Sequence, residues 1–471
     1  MTNYGIQNLE EIICPHCGKT LGLNDIQIRN DDEIVFPETF SADISQDTHS
    51  VFVCPECTLK IPYTYLKRPC IFISFYGKER SGKSHILAMM TKQFGIYTTR
   101  KGNYTFRSIV DQEGTGHINA LLQIYQNLLL PKANHQAIEP LRRTEADTEG
   151  AKNVPYDFVK GKKNEKVLYP KPFIYELKKN DSRIKKQEFP DSIEELISRP
   201  YNVRKRNALK KYDLRRGIYL ALQDIKGEFC SPDGTVDDRY KIIWPVHTYG
   251  QIRVMVYNPK DSLNFVRYHN SRTNRDGRWE DELVSSDVHI GNETIWNIFR
   301  GDTRRADTLV LVSQFDECVD DFCSFLDKPE DEIQNLQNGT ASLETPKVNK
   351  RRNGMQTPIP QNQSTSHVSF KRNTTDSERF RELFQSGMIP SMEEVRYFSN
   401  RLRDFLNLGI ADTEFTSHAD QNTLFVPISA MGCRVENGAF PKCMPIWTEV
   451  PMIWLLEVLE RRAKKDAMWI K

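Results

Sequence analysis

No stretch of this 471-residue chain approaches the roughly 18 consecutive apolar residues of a membrane-spanning helix. Helical channels and transporters are therefore not expected, and neither is membrane insertion. Residues Met1 to Glu11 lack a basic start and an apolar stretch, so no secretory signal is expected. Neither sign of charge dominates: 65 Lys and Arg against 63 Asp and Glu leave a net charge of +2. That balance names no partner by itself. Locally it breaks down, because Lys and Arg are dense between Lys160 and Arg216, as in Arg204-Lys205-Arg206. Such a run reads either as a solvated insertion or as a surface for nucleic acid or an acidic partner. Ten cysteines in a chain without a signal segment point to metal ligation and buried thiols, not to a disulfide framework. With 38% hydrophobic and 27% charged residues, the chain reads as soluble, cytoplasmic and long enough for two or three domains.

Four of the cysteines are organised. Cys14-Pro15-His16-Cys17 and Cys54-Pro55-Glu56-Cys57 are two C-P-x-C knuckles 36 residues apart. Each tight turn presents two thiolates, so together they supply the four sulfurs of a tetrahedral zinc site. Residues 1–68 are therefore expected to form a separate zinc ribbon in which the ion is structural, because four thiolates leave no open coordination position. His16 is expected to face solvent.

The next signal is Gly77-Lys78-Glu79-Arg80-Ser81-Gly82-Lys83-Ser84, a G-x-x-x-x-G-K-S sequence. It follows the apolar run Cys70 to Tyr76 and precedes a helical stretch from His85. Strand, glycine loop and helix in that order form a phosphate-binding P-loop. Its backbone N–H groups turn inward on phosphate oxygens, Lys83 supplies a point charge, and Ser84 ligates Mg²⁺. Phosphate contacts are expected from Gly77, Glu79, Arg80, Ser81, Gly82, Lys83, Ser84 and His85. A nucleotide hydrolase also needs a metal-binding carboxylate at the end of a second buried strand. Arg216 to Gln223 is such a strand, ending in Asp224-Ile225-Lys226-Gly227-Glu228. Asp224 is expected to hold Mg²⁺, Gly227 to sense the γ-phosphate and Glu228 to sit by the attacking water. Phe173 to Leu177, just upstream, alternates as an edge strand should.

With these motifs the chain resembles the Ras-like superfamily of P-loop GTPases, over roughly residues 69–327 and 378–471. The resemblance implies an α/β, three-layer P-loop NTPase fold with a mostly parallel sheet. It aligns Gln251 to Asn258, Thr308 to Val312 and Leu424 to Ile428 with the remaining core strands, and Ile295 to Phe299 with a helix. Ser313-Gln314-Phe315-Asp316 resembles the guanine-reading loop, with Ser313 and Gln314 in place of Asn/Thr and Lys. The resemblance implies that Asp316 pairs with the guanine N1–H and amino group, a choice adenine cannot satisfy. Ser429-Ala430-Met431-Gly432 resembles the loop whose backbone amide reads guanine O6. Helices at Met392 to Leu408 and Trp447 to Arg462 carry apolar residues at helical spacing and are expected to pack on the sheet. The architecture is also loosely similar to GTPases of bacterial conflict systems, which act with a protein effector or a second GTPase.

The expected ligands are thus GTP and GDP with Mg²⁺, plus Zn²⁺. Two other readings stay open: a P-loop ATPase, and a zinc-ribbon nucleic-acid adaptor that holds nucleotide without turnover. The threonine of the first switch is undetermined among Thr98, Thr99, Thr105, Thr115, Thr144 and Thr148. Glu228, where relatives carry Gln, and Glu79 imply slow intrinsic hydrolysis, since added carboxylates repel the γ-phosphate. Arg80 is either an internal charge stabiliser or an exposed loop arginine. A basic insertion is expected at about 145–215 and a disordered one at about 329–377, the latter too poor in apolar residues to fold.

Overall fold

The structure is a computed structural model. It describes residues 12–17, 19–21, 27–30, 33–35, 51–61, 70–77, 81–109, 119–129, 138–141, 156–160, 166–170, 172–180, 214–215, 217–225, 252–259, 307–329, 374–406, 423–433, 435–436 and 438–468. Six short strands come first: β1 (Ile12–Ile13), β2 (Thr20–Leu21), β3 (Gln27–Asn30), β4 (Glu33–Val35), β5 (Val51–Val53) and β6 (Lys60–Ile61). They form a two-stranded and a four-stranded antiparallel sheet around the two cysteine knuckles.

The main body begins with β7 (Cys70–Tyr76), α1 (Lys83–Lys101), β8 (Tyr104–Ser108) and α2 (Ala120–Leu128). A hairpin of β9 (Tyr156–Lys160) and β10 (Lys166–Pro170) follows, then β11 (Phe173–Lys179), β12 (Ile218–Asp224), β13 (Ile252–Tyr257) and β14 (Asp307–Val312). The C-terminal elements are α3 (Val319–Leu326), α4 (Asp376–Ser386), α5 (Met392–Leu406), β15 (Leu424–Pro427) and α6 (Val450–Met468). Seven strands make one sheet in the order β15-β14-β13-β7-β12-β11-β8. Only β11 runs against the other six. This is a mixed, mostly parallel α/β sheet, and its near-continuous apolar strands are what burial on both faces demands. In β12 and β13 every residue is buried.

The order of pairing decides where a ligand can go. From β7 the chain builds outward through β12 on one side, then crosses to β13 on the other. The crevice beyond the strand ends at such a reversal is the usual ligand position in open α/β sheets. Residues Gly77, Ser81 and Gly82 lie there.

Helices α1 and α6 pack on each other and cover one face. Arg461 and Arg462 of α6 both reach Asp307 at the start of β14, at 2.7 and 3.1 Å. Beside β15, α3, α4 and α5 close over an aromatic cluster in which Phe322 and Phe380 meet at 4.8 Å between centroids. Trp447, 1% exposed, stacks edge-on against Phe380 and Phe384. Among the described residues no helix is long and apolar enough to cross a membrane.

Several sequence expectations need correction. Phe173 to Leu177 is not at the edge of the sheet, because Tyr104–Ser108 pairs outside it. That same strand lies within the span expected to be a basic insertion, yet its first five residues are buried. The closing helix starts at Val450 rather than Trp447, whose backbone is left-handed (φ 57°) and cannot continue a helix. The low-complexity segment ends sooner than expected, because Asp376 and Ser377 already belong to α4. Its bulk, residues 330–373, lies outside the described residues, as do Ile295 to Phe299 and Arg204 to Arg206.

Helix α4 starts at Asp376 because Thr375 caps it. The Glu378 N–H donates to the Thr375 hydroxyl at 3.2 Å, and the Glu378 carboxylate accepts from the Thr375 N–H at 2.9 Å. Thr375→Ala is expected to cost about 1 kcal/mol. Thermal unfolding checks this, with a Tm lower by roughly 2 °C; an unchanged Tm would show that the cap contributes nothing.

Candidate functional site

The glycine loop turns off the end of β7 against β13. A Cβ on Gly77 would sit 2.6 Å from the Val256 carbonyl and 2.9 Å from the Ser81 hydroxyl, so no larger residue fits. Gly82 caps α1 in a left-handed conformation (φ 83°) that side chains other than glycine's rarely adopt. Helix α1 then begins at Lys83, with Ile86 N–H donating to the Gly82 carbonyl at 2.9 Å. The loop and the positive end of α1 therefore face the same crevice.

Lys83 folds back into the loop. Its ammonium donates to the Gly77 carbonyl at 2.7 Å and lies 3.5 Å from the Ser81 hydroxyl. Beside it, the Ser84 hydroxyl donates to Asp224 Oδ2 at 2.7 Å. Two side chains 140 residues apart in sequence thus meet at the loop's mouth. Burial pushes the Asp224 carboxyl above its ordinary range, against the pull of Lys83 and of the Ser84 hydroxyl. The Ser84 hydroxyl and the Asp224 carboxylate thus set two hard oxygens side by side at a helix N-terminus, with the Lys83 ammonium next to them. Glu79, Arg80, Gly227 and Glu228, also expected here, lie outside the described residues.

The expected base-reading loops also converge. The ends of β14 and β15 are tied by Ile428 N–H to the Val312 carbonyl at 2.9 Å and Phe315 N–H to the Ile428 carbonyl at 3.3 Å. Asp316, half-buried, comes close enough to Cys433 for its charge to help raise that thiol, whose main shift comes from burial. Gln314 is left-handed (φ 53°) and its side chain accepts from Asn258 Nδ2 at 3.4 Å. Ser429 braces its own loop: its N–H donates to the Ile446 carbonyl at 3.2 Å and its hydroxyl accepts from Gly432 N–H at 2.9 Å. The Ser429 amide is thus already engaged, and Ala430 follows it in the loop.

Tyr125 was not anticipated from sequence, and His85, expected among the phosphate contacts, turns its ring to another partner. The His85 ring accepts from Leu141 N–H at 3.1 Å and meets Phe440 edge-on at 5.8 Å. Burial lowers its pKa to about 4, so the ring is neutral at physiological pH. Ile138 and Phe440 pair as an antiparallel bridge, so residues 138–141 run from α1 to the loop after β15. Tyr125 lies on α2, which is anchored to α1 by Gln126 Nε2 donating to Thr91 Oγ1 at 2.8 Å. Burial, helped by the nearby Asp224 charge, raises the Tyr125 pKa to about 12. Both residues occupy or contact the long interval that separates α1 from β11, where sequence offered only undifferentiated threonines. Of those, Thr98 and Thr99 bond their hydroxyls back to the Gly95 carbonyl within α1, and Thr105 lies on β8 bonded to Asn180. None of these three faces the glycine loop through a bond. Thr115, Thr144 and Thr148 lie outside the described residues.

The second constellation is the cysteine cluster. Cys14, Cys17, Cys54 and Cys57 are buried, with all four sulfurs within 4.8 Å of one another. Cys14 and Cys57 sulfurs are 3.7 Å apart, and those of Cys17 and Cys54 3.8 Å. A tetrahedron with Zn–S of about 2.3 Å has sulfur–sulfur edges of roughly 3.8 Å, whereas a disulfide is about 2.05 Å. The four thiols therefore fit a metal ion such as Zn²⁺. Each knuckle is closed by a backbone bond, Cys14 N–H to the Lys19 carbonyl at 2.8 Å and Cys54 N–H to the Leu59 carbonyl at 3.0 Å. His16, expected at the surface, is 9% exposed, because the first knuckle packs inward. That packing is specific: Gln223 Nε2 donates to the Pro15 carbonyl at 3.0 Å. The cysteine module is thus bonded to the strand that ends in Asp224.

The fold and its sites define an α/β protein built on a mostly parallel seven-stranded sheet, with a four-cysteine metal-binding cluster. No protein-family model matches the chain, and neither does any curated protein.

Two substitutions probe these centres. An acid with a raised native pKa binds its proton more tightly when folded, so it costs stability once pH exceeds the unfolded value of about 3.9. That cost grows as pH rises through the native value and is constant above it. Asp224→Asn is therefore expected to raise the Tm at pH 7, with a gain that shrinks as pH falls toward 4. A Tm below wild type at pH 7 would contradict it. In the second knuckle Thr58 holds a left-handed backbone (φ 57°) where the first has Gly18. Thr58→Gly relieves about 1 kcal/mol of strain and is expected to slow loss of metal to a chelator, measured by zinc release.

Proposed function

We propose that this chain is a Ras-like P-loop GTPase that binds GTP with Mg²⁺ in the glycine loop and hydrolyses it to GDP. The observation that carries the reading is the Ser84–Asp224 hydrogen bond beside Lys83, at the switch point of the sheet. In this reading Lys83 and the backbone N–H groups from Gly77 to His85 bind the phosphates, while Ser84 and Asp224 hold Mg²⁺. The ion, when bound, neutralises charge developing on the phosphate oxygens. Asp316 takes the guanine N1–H and amino group, and the Ala430 amide takes O6. Gly227 senses the γ-phosphate and Glu228 orients water, which makes intrinsic hydrolysis slow.

Support for guanine over adenine comes from the convergence of the two loops after β14 and β15 at the same strand ends as the glycine loop. Support for a switch comes from the segments on either side of Asp224, which can order around a γ-phosphate and present a state to a protein effector or a second GTPase. Conflict-system GTPases work in that way, which makes a role in bacterial defence part of the proposal. The cysteine cluster holds structural Zn²⁺.

Titrating a fluorescent GTP analogue, competing it with GTP and ATP, and following phosphate release on the same sample tests the reading. GTP is expected to compete at least tenfold better than ATP. Lys83→Ala is expected to weaken binding by about a hundredfold. Equal competition by ATP would replace the guanine assignment with an ATPase, and binding without phosphate release would leave an adaptor.

A further inference from the structure

On the sheet face opposite α1, a buried polar row crosses three strands. Gln223 of β12, Ser74 of β7 and Arg253 of β13 are in register and are 0%, 0% and 3% exposed. Strand neighbours in register share a face, so these three lie side by side. Gln223 stands out because Ile218 to Leu222 before it contain no other amide or charged residue. Its bonds account for it. The side-chain oxygen accepts from the Ser74 hydroxyl at 3.2 Å, and the side-chain nitrogen donates to the Pro15 carbonyl at 3.0 Å. Pro15 lies between Cys14 and Cys17 inside the first knuckle. The residue after Gln223 is Asp224, which holds Ser84 at the loop's mouth.

We infer that Gln223 is a positioning residue that couples the four-cysteine metal site to the Mg²⁺ carboxylate, so that metal and nucleotide strengthen each other's binding. The inference rests on the nucleotide reading of the glycine loop. An ion bound by all four sulfurs fixes the backbone of both knuckles and therefore the aim of the Pro15 carbonyl. Without the ion, four crowded thiols have no common partner and the turn loosens. The Gln223 amide then loses its acceptor at a place closed to solvent, and buried donors do not stay unpaired. The end of β12 must shift to recover a bond. Asp224 is the next residue, about 3.8 Å further along the backbone, and its bond to Ser84 depends on distance and direction. A glutamine suits this place because it donates on one side and accepts on the other without adding charge beside Arg253. Coupling of this kind is reciprocal, so nucleotide with Mg²⁺ must also hold the metal in the knuckles.

The test uses the full-length, zinc-loaded chain and two readouts: the Mg²⁺ concentration for half-maximal binding of a fluorescent GTP analogue, and the rate of zinc transfer to a chromogenic chelator. Gln223→Leu removes both bonds at similar volume. It is expected to raise the Mg²⁺ half-saturation about tenfold while leaving Mg²⁺-free binding of the analogue within about twofold. Saturating GTP and Mg²⁺ are expected to slow zinc transfer about tenfold in wild type and not in the variant. Wild-type chain stripped of zinc and then reloaded gives a route that needs no substitution: half-saturation rises on stripping and returns on reloading. A Mg²⁺ half-saturation indifferent to both Gln223→Leu and zinc stripping overturns the coupling alone. Zinc-loaded wild type that binds no nucleotide under any condition overturns the nucleotide reading together with it.

Discussion

A carboxylate held out of water at the end of a buried strand is the constraint on which this architecture turns. Asp224 sits there at a cost to the fold, since burial works against its ionised form while Lys83 and Ser84 work for it. Such placements recur where a site needs a charge more than the fold does. Its surroundings are arranged to keep it. The strands on both sides of β12 align their ends, and Ile225 N–H pairs with the Phe75 carbonyl at 3.1 Å. The glycine loop then brings an ammonium and a hydroxyl to it.

The two faces of the sheet solve different problems. Toward α1 and α6 the strands present Ile71, Ile73, Phe75, Leu220, Leu222 and Val254, an apolar layer that asks only for close packing. On the other face the same three strands present Gln223, Ser74 and Arg253, whose burial is tolerable only if each polar atom is bonded. An apolar lid over that row would strand the Gln223 amide. The carbonyl of Pro15 answers it, which makes the cysteine module part of the sheet's polar bookkeeping rather than an appendage on a tether.

What could be read from the sequence was what is local. The glycine loop and the knuckles announce themselves within eight and four residues, because each is a pattern of fixed local spacing. Strands β7, β12, β13, β14 and β15 were legible to within a few residues, since burial on both faces writes them as unbroken apolar runs. β8 and α2 were not, because Tyr104–Ser108 mixes Thr, Arg and Ser with two aromatics and pairs with a strand 65 or more residues away. Helix α4 was hidden by its polar surface and by the low-complexity run that abuts its cap. The inward turn of His16 and the bond from Gln223 were out of reach for a different reason. A side chain meeting a carbonyl 208 residues distant leaves no periodicity to find. The one available signal was an amide in a strand that otherwise had no use for one.

The departures at residues 313 and 314 make physical sense together. In the proposed GTPase reading a lysine stem at 314 would lie along the base, whereas Gln314 turns to Asn258 at the end of β13. Ser313 likewise turns inward, its N–H and hydroxyl both on the Tyr257 carbonyl at 2.8 and 3.2 Å. Both residues thus fasten the loop after β14 to β13 rather than reaching for a ligand. In the proposed nucleotide reading, discrimination between purines then falls to Asp316 and the loop after β15. That loop is held firmly, between Ile446, Gly432 and the bridge to residue 138, so its aim is set before any ligand arrives. Preorganised groups lose little on binding. A site that has given up a packing side chain can recover part of the lost affinity that way.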